Sequence, residues 1–146
     1  MKNLLYVLGF AALAIIVARF IPVDTEPFHE DPAEPETQRS EVRLIGPDAP
    51  RFPADADTVL TELSHIASRD WSVGRVEGSI DEGMITFVAR SRVFGFRDFI
   101  TVKAVDETDG AKLSAFARPR FNVYDWGVNR KRLDRWLGEL EQTLGR

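Results

Sequence analysis

The chain contains no cysteine. Disulfides, thiolate metal sites and cysteine nucleophiles are therefore excluded. Histidine is scarce as well. His29 lies in an acidic stretch, and His65 lies mid-helix with no second ligand one turn away. A metal centre built from the usual ligand sets has nothing to draw on. There is no basic surplus either: the formal net charge is -4. Seven acids and one base fall between Asp24 and Glu41, and sixteen of each sign remain beyond Glu41. The acidity thus belongs to a tail and the folded part is neutral. A nucleic-acid partner, which calls for a cationic excess, is not expected. Gly-x-Ser-x-Gly, a Ser-His-Asp set, a phosphate loop and a paired acidic metal cluster are all missing. No cofactor and no catalytic set is expected.

What is present begins with an apolar run, Leu4 to Ala18, flanked by Lys2 and Arg19. A bilayer span takes about 20 apolar residues, reached if Arg19 snorkels and Phe20 and Ile21 are counted. A cleaved signal peptide is the rival reading, but no small-residue cleavage motif follows the run. The sequence predicts an uncleaved membrane anchor over residues 1–21, contacting lipid through residues 4–21. Lys2 favours a cytoplasmic amino terminus, Arg19 partly opposes it, and the remainder is expected outside the cytoplasm, in the periplasm.

Seven of the eight prolines fall between Pro22 and Pro53. Together with the acids they make residues 22–53 a linker with little to bury, expected to stay extended, solvated and disordered. Glu41 to Gly46 alternates and reads as a short edge strand.

Residues 54–146 read as the globular domain. Asp55 or Asp57 can cap a helix in which Val59, Leu60, Leu63, Ile66 and Ala67 share one face. Trp71 to Gly78 reads as a weak or bulged strand. Met84 to Ser91 and Asp98 to Val105 are strands, Asp106 to Gly110 is a hairpin turn, and Ala111 to Arg120 returns. A last helix covers Gly127 to Leu144, striped by Leu133, Leu137, Leu140 and Leu144, with Asp125 as its cap and an Arg130–Asp134 pair outside. The expectation is an α+β fold: an antiparallel sheet of about four or five strands, with two helices packed on one face.

Two segments, ARSRVFGFRDFITVK and AFARPRFNVYDWGVNRKRL, follow the Pro-rich turn and first helix. In motif order and spacing they resemble the family catalogued as domain of unknown function 1499. The matching positions are Arg90, Ser91, Phe94, Gly95, Phe96, Asp98, Arg118, Arg120, Tyr124, Asp125, Gly127, Asn129, Arg130 and Arg132. The chain departs from the family at two points. It has no Asn-Cys-Val-Ser-Ser segment, and Phe99 follows Asp98 where a second acid is common. The resemblance implies the fold and the envelope location and carries no activity with it.

The charged aromatic stretch Ala117 to Trp136 holds the candidate site. Hairpin closure at Asp106 to Gly110 brings Arg118 to the start of the preceding strand, near Asp98. One reading is a closed network. In it Asp98 holds Arg118 or Arg120, Asp125 satisfies helix amides, and Tyr124 and Trp126 cover guanidinium planes. Another is an anion site formed by Arg118, Arg120, Asn129 and Arg130 with the first amides of the last helix. It would take an anionic small molecule or a lipid headgroup. A third is a hydrolase-type enzyme using Asp98 or Asp125 beside an arginine. Phe94-Gly95-Phe96 reads as core around a tight bend or as a protruding contact. The function expected is binding or scaffolding at the cell envelope, with a lipid headgroup, an anionic small molecule or an envelope protein as partner.

Overall fold

A computed structural model of the chain describes residues 2–33, 42–90, 95–120 and 127–145. In chain order its elements are α1 (Lys2–Phe20), β1 (Val42–Leu44), β2 (Arg51–Phe52), α2 (Ala56–Ser68), β3 (Val73–Ser79), β4 (Met84–Arg90), β5 (Arg97–Glu107), β6 (Gly110–Pro119) and α3 (Val128–Leu144).

The apolar run forms α1. Its apolar residues surround the helix rather than lining one side, and Leu4, Tyr6, Phe10 and Phe20 are all exposed. Nineteen residues make a rod of about 28 Å, against about 30 Å of bilayer hydrocarbon. Among the described residues, no helix is long and apolar enough to cross a membrane. The span expected over residues 4–21 therefore has no support from the length and apolarity of α1.

The sheet is antiparallel, in the order β1-β6-β5-β4-β3, with β2 also pairing β6, so it has six strands rather than four or five. Both pairings outside the four central strands come from residues 22–53: β1 lies within the short edge strand read at residues 41–46, and β2 is the addition. Val42 lies opposite Ala117, and Arg51 opposite Lys112. The β3–β4 ladder slips between Arg75 and Glu77, the bulge that the glycine-interrupted sequence predicted. Trp71 does not join β3. It sits in the preceding turn and is 76% exposed.

Helices α2 and α3 cover one sheet face. Asp55 caps α2: its Oδ1 accepts from the Thr58 amide at 2.7 Å, and those bonds hold its carboxyl below the usual range. The core joins Leu60, Leu63, Leu133, Trp136 and Leu140 of the helices to Ile85, Phe87, Ile100, Val102 and Leu113 of the sheet. Each fully buried side chain of this size is worth roughly 1.5–3 kcal/mol. Alternation then places Thr86, Phe99, Thr101, Lys103, Phe116 and Arg118 on the opposite face.

That second face is covered too. Residues 25–33 run across it as a strap, although they were expected to be solvated. Phe28 stacks on Phe99 with centroids 3.9 Å apart. His29 Nδ1 lies 2.8 Å from Thr86 Oγ1, and Thr101 Oγ1 donates to the Phe28 carbonyl at 2.8 Å. Asp31 pairs with Lys103, and Glu30 with Arg118. The strap is poor in apolar residues but supplies carboxylates where the sheet supplies cations. Of the expected linker, residues 22–33 and 42–53 are thus described on the domain.

Candidate functional site

Register decides where the arginines point. Phe99 lies opposite Arg118, and Asp98 opposite Pro119. Arg118 therefore shares a face with Phe99, while Asp98 projects to the helix side. The expected contact between Asp98 and Arg118 does not form, because a one-residue offset along a strand reverses the face. Arg118 instead lies between Phe28 and Phe116, with its guanidinium 4.7 and 5.1 Å from the ring centroids. It donates to Glu30 Oε2 at 3.2 Å and to the Pro27 carbonyl.

One layer toward the sheet end stands a row of like charges. Arg90 lies directly opposite Arg97, and the Arg120 amide donates to the Arg97 carbonyl at 3.0 Å. The three arginines thus occupy one face of β4, β5 and the end of β6. Burial first, then the charges of Arg90 and Arg120, lower the pKa of Arg97. Like charges directly opposite on a sheet are destabilising. Among the described residues, no carboxylate lies within ion-pair distance of Arg90 or Arg97. Arg120 reaches the Ile21 and Pro22 carbonyls, each at 3.3 Å. The row therefore stands where the chain leaves α1.

The other two residues expected in an anion site lie elsewhere. Asn129 is fully buried and its Oδ1 accepts from Arg132 at 3.0 Å. Arg130 faces outward and pairs with Asp134 at 2.9 Å. So Arg118 and Arg120 come together, and Asn129 and Arg130 do not join them. Tyr124, Asp125 and Trp126 fall outside the described residues. The N-cap position of α3 is Gly127, at φ 76°, with no side-chain cap bond.

A closed charge network does exist, on the helix side and around different partners. Asp70 accepts from the Ser72 amide and hydroxyl at 3.2 and 2.7 Å. It pairs with Arg135 at 2.7 Å and with the buried Arg132 at 3.6 Å. Burial alone would raise its carboxyl, but the Ser72 bonds and the two arginines outweigh burial and hold it below the ordinary range. Burial lowers the pKa of Arg132, and the charges of Asp70 and Asp98 oppose that shift. Asp98, turned to the helix side, thus adds to the field that keeps Arg132 charged.

Sequence reasoning missed Arg90 and Arg97 as a pair, and Asp70 as a hub. The first was recoverable. The β4–β5 register sets Arg90 opposite Arg97, and carrying the β5–β6 hairpin back from its turn sets Arg97 beside Arg120. The second had no local signal, since Asp70 and Arg132 are joined only by the packing of α2 on α3.

Among curated proteins none matches the chain. A crystal structure of protein MLL2253 from Mesorhizobium loti is similar in fold, with a TM-score of 0.52 and 10% identity. The similarity covers 70% of this chain and 94% of that one, and it bears on fold alone. The sequence model described as protein of unknown function (DUF1499) matches residues 28–140. That span takes in the strap from Phe28, the whole sheet and most of α3, so the chain belongs to the DUF1499 family.

Proposed function

We propose that this is a membrane-anchored, extracytoplasmic binding domain whose basic sheet end engages anionic lipid headgroups. The observation that carries the reading is the cross-strand pair Arg90 and Arg97, set beside Arg120 at the exit of α1. Arg90 and Arg97 repel each other across the strands, and a phosphate placed between them removes that repulsion. Planar guanidiniums bind phosphate bidentately, with a geometry that lysine lacks. The apolar surface of α1 supplies the lipid contact. With α1 seated in lipid, the Arg120 contacts to Ile21 and Pro22 bring the row to headgroup level, where each nearby cation adds about 1 kcal/mol toward an anionic leaflet. Arg118, held by Glu30 and two rings, borders the row and keeps its own partner.

The test uses the full chain in nanodiscs of phosphatidylcholine with and without phosphatidylglycerol. Native mass spectrometry counts the lipids retained on release. The wild type should retain phosphatidylglycerol preferentially, and Arg90→Gln/Arg97→Gln should lose the preference while still inserting. Added inorganic phosphate should compete if the headgroup phosphate is what is held. Equal retention of both lipids by the wild type would refute the reading.

A further inference from the structure

On the helix side of the molecule a cleft of about 200 Å³ opens between the end of α2, the turn before β3 and the middle of α3. Arg69, Asp70, Trp71, Arg135, Trp136 and Glu139 line it. It is independent of the arginine row and of the lipid reading.

Three properties define what could enter. The cleft is electrically balanced: Arg69 pairs with Glu139 at 2.8 Å, and Arg135 with Asp70 at 2.7 Å. An ionic ligand would have to disrupt one of these pairs, whereas a neutral one would not. The pairs also leave capacity unused. Each guanidinium has five N–H donors and Glu139 accepts further bonds, whereas Asp70 is already filled by Ser72 and two arginines. A neutral ligand rich in hydroxyls would satisfy the arginines and Glu139.

The second property is the wall. Trp71 is 76% exposed. A single exposed apolar side chain needs no explanation, but this one stands over a polar cleft and offers a flat apolar face. The third is an unmet donor. Trp136 is 1% exposed, lines the same cleft, and its Nε1–H, itself closed to solvent, has no hydrogen-bond partner among the described residues. Buried donors left unpaired cost free energy and are few in native proteins.

We propose that this cleft binds a neutral sugar ring, the end or one unit of a glycan. A pyranose has an apolar C–H face to lie on the Trp71 indole and equatorial hydroxyls to meet in-plane guanidinium and carboxylate groups. The cleft lies below the roughly 300–1,000 Å³ of drug-sized sites, so it holds one ring rather than several.

The experiment uses the full chain in phosphatidylcholine nanodiscs, which avoids sugar-headed detergents. The probes are chitotriose, cellotriose and maltotriose, followed by intrinsic tryptophan emission and by acrylamide quenching. At least one probe should shift the emission saturably and shield an indole from acrylamide. Trp71→Ala should weaken that binding by about tenfold or more, as loss of a central aromatic contact does. Its thermal midpoint should stay unchanged, since the ring is exposed. Glu139→Gln should weaken binding as well, by unbalancing the Arg69 pair. Absence of saturation with all three sugars up to about 10 mM, or a Trp71→Ala protein that binds as the wild type does, overturns the proposal.

Discussion

Replacing Asp70 with asparagine keeps the shape and the Ser72 contacts of the side chain and removes one charge. Two cations lose their partner. Arg135 is half exposed, at 52%, and water compensates it. Arg132 is not so placed, because its side chain is 10% exposed and that of Asp70 is 13% exposed. At 3.6 Å and an effective dielectric near 20, the gross attraction is about 4–5 kcal/mol. Breaking a buried pair on one side typically costs about 3–5 kcal/mol. Arg132 keeps Asn129 and the field of Asp98, which lowers the expectation to about 2–3 kcal/mol. For a domain of this size that is a fall in Tm of roughly 10–20 °C. Differential scanning fluorimetry of the full chain in detergent measures it.

Two further signatures separate this account from general damage. Arg132→Met combined with Asp70→Asn should cost less than the sum of the single changes by at least about 1 kcal/mol, since removing both partners strands neither. The acid limb must also change. The Asp70 carboxyl is held below its unfolded value, so its contribution is complete above the unfolded pKa. It is lost as pH falls through the folded pKa. Asp70→Asn should therefore flatten the acid loss of stability without abolishing it, because Asp31 and Glu107 are shifted the same way. A change within about 0.5 kcal/mol, or strict additivity in the double variant, would refute the reasoning.

Arg97→Gln should raise thermal stability in low salt by a few tenths to about 1 kcal/mol, by relieving the cross-strand repulsion, while lowering retention of phosphatidylglycerol. A loss of stability would mean the row is internally compensated. Phe28→Ala removes the stack on Phe99 and should open the strap locally. Hydrogen exchange at the Phe28 and His29 amides, now bonded to Thr25 and Glu26, should quicken by about tenfold or more for a loss near 1.4 kcal/mol. Unchanged exchange would show the strap to be held by its ion pairs. Gly110→Ala places a Cβ 2.0 Å from the Phe52 carbonyl oxygen at φ +135°, and should cost more than about 2 kcal/mol. An alanine variant melting like wild type would contradict that approach of β2 to β6.

The helices and central strands were legible because their signals are local. Val59, Leu60, Leu63, Ile66 and Ala67 repeat at helical spacing, and all five are buried on one face of α2. The hairpin turn at residues 107–110 closed where the acid-rich, glycine-ended sequence placed it. What stayed hidden was set by contacts between distant residues. Arg51 and Phe52 are a two-residue strand that only β6 makes into one. The strap has too few apolar residues to predict burial. It is held by Phe28 on Phe99, His29 on Thr86 and Asp31 on Lys103, partners more than fifty residues away.

The same physics explains how the residues of the candidate site are distributed. Arg118 and Arg120 do share a face at one end of the sheet, as alternation requires. Their partners changed because the register sets Phe99, rather than Asp98, opposite Arg118. That single step turns Asp98 to the helix side and leaves Arg97 beside Arg120 on the strap side. The charged stretch thereby divides between two faces. On the helix face each buried cation meets an acid, and the arrangement is architecture. On the other, Glu30 serves Arg118, while Arg90 and Arg97 share a face with Arg120 and meet no acid among the described residues. Arg90 and Arg97, directly opposite each other where the chain leaves α1, are the pair on which the proposed headgroup contact rests.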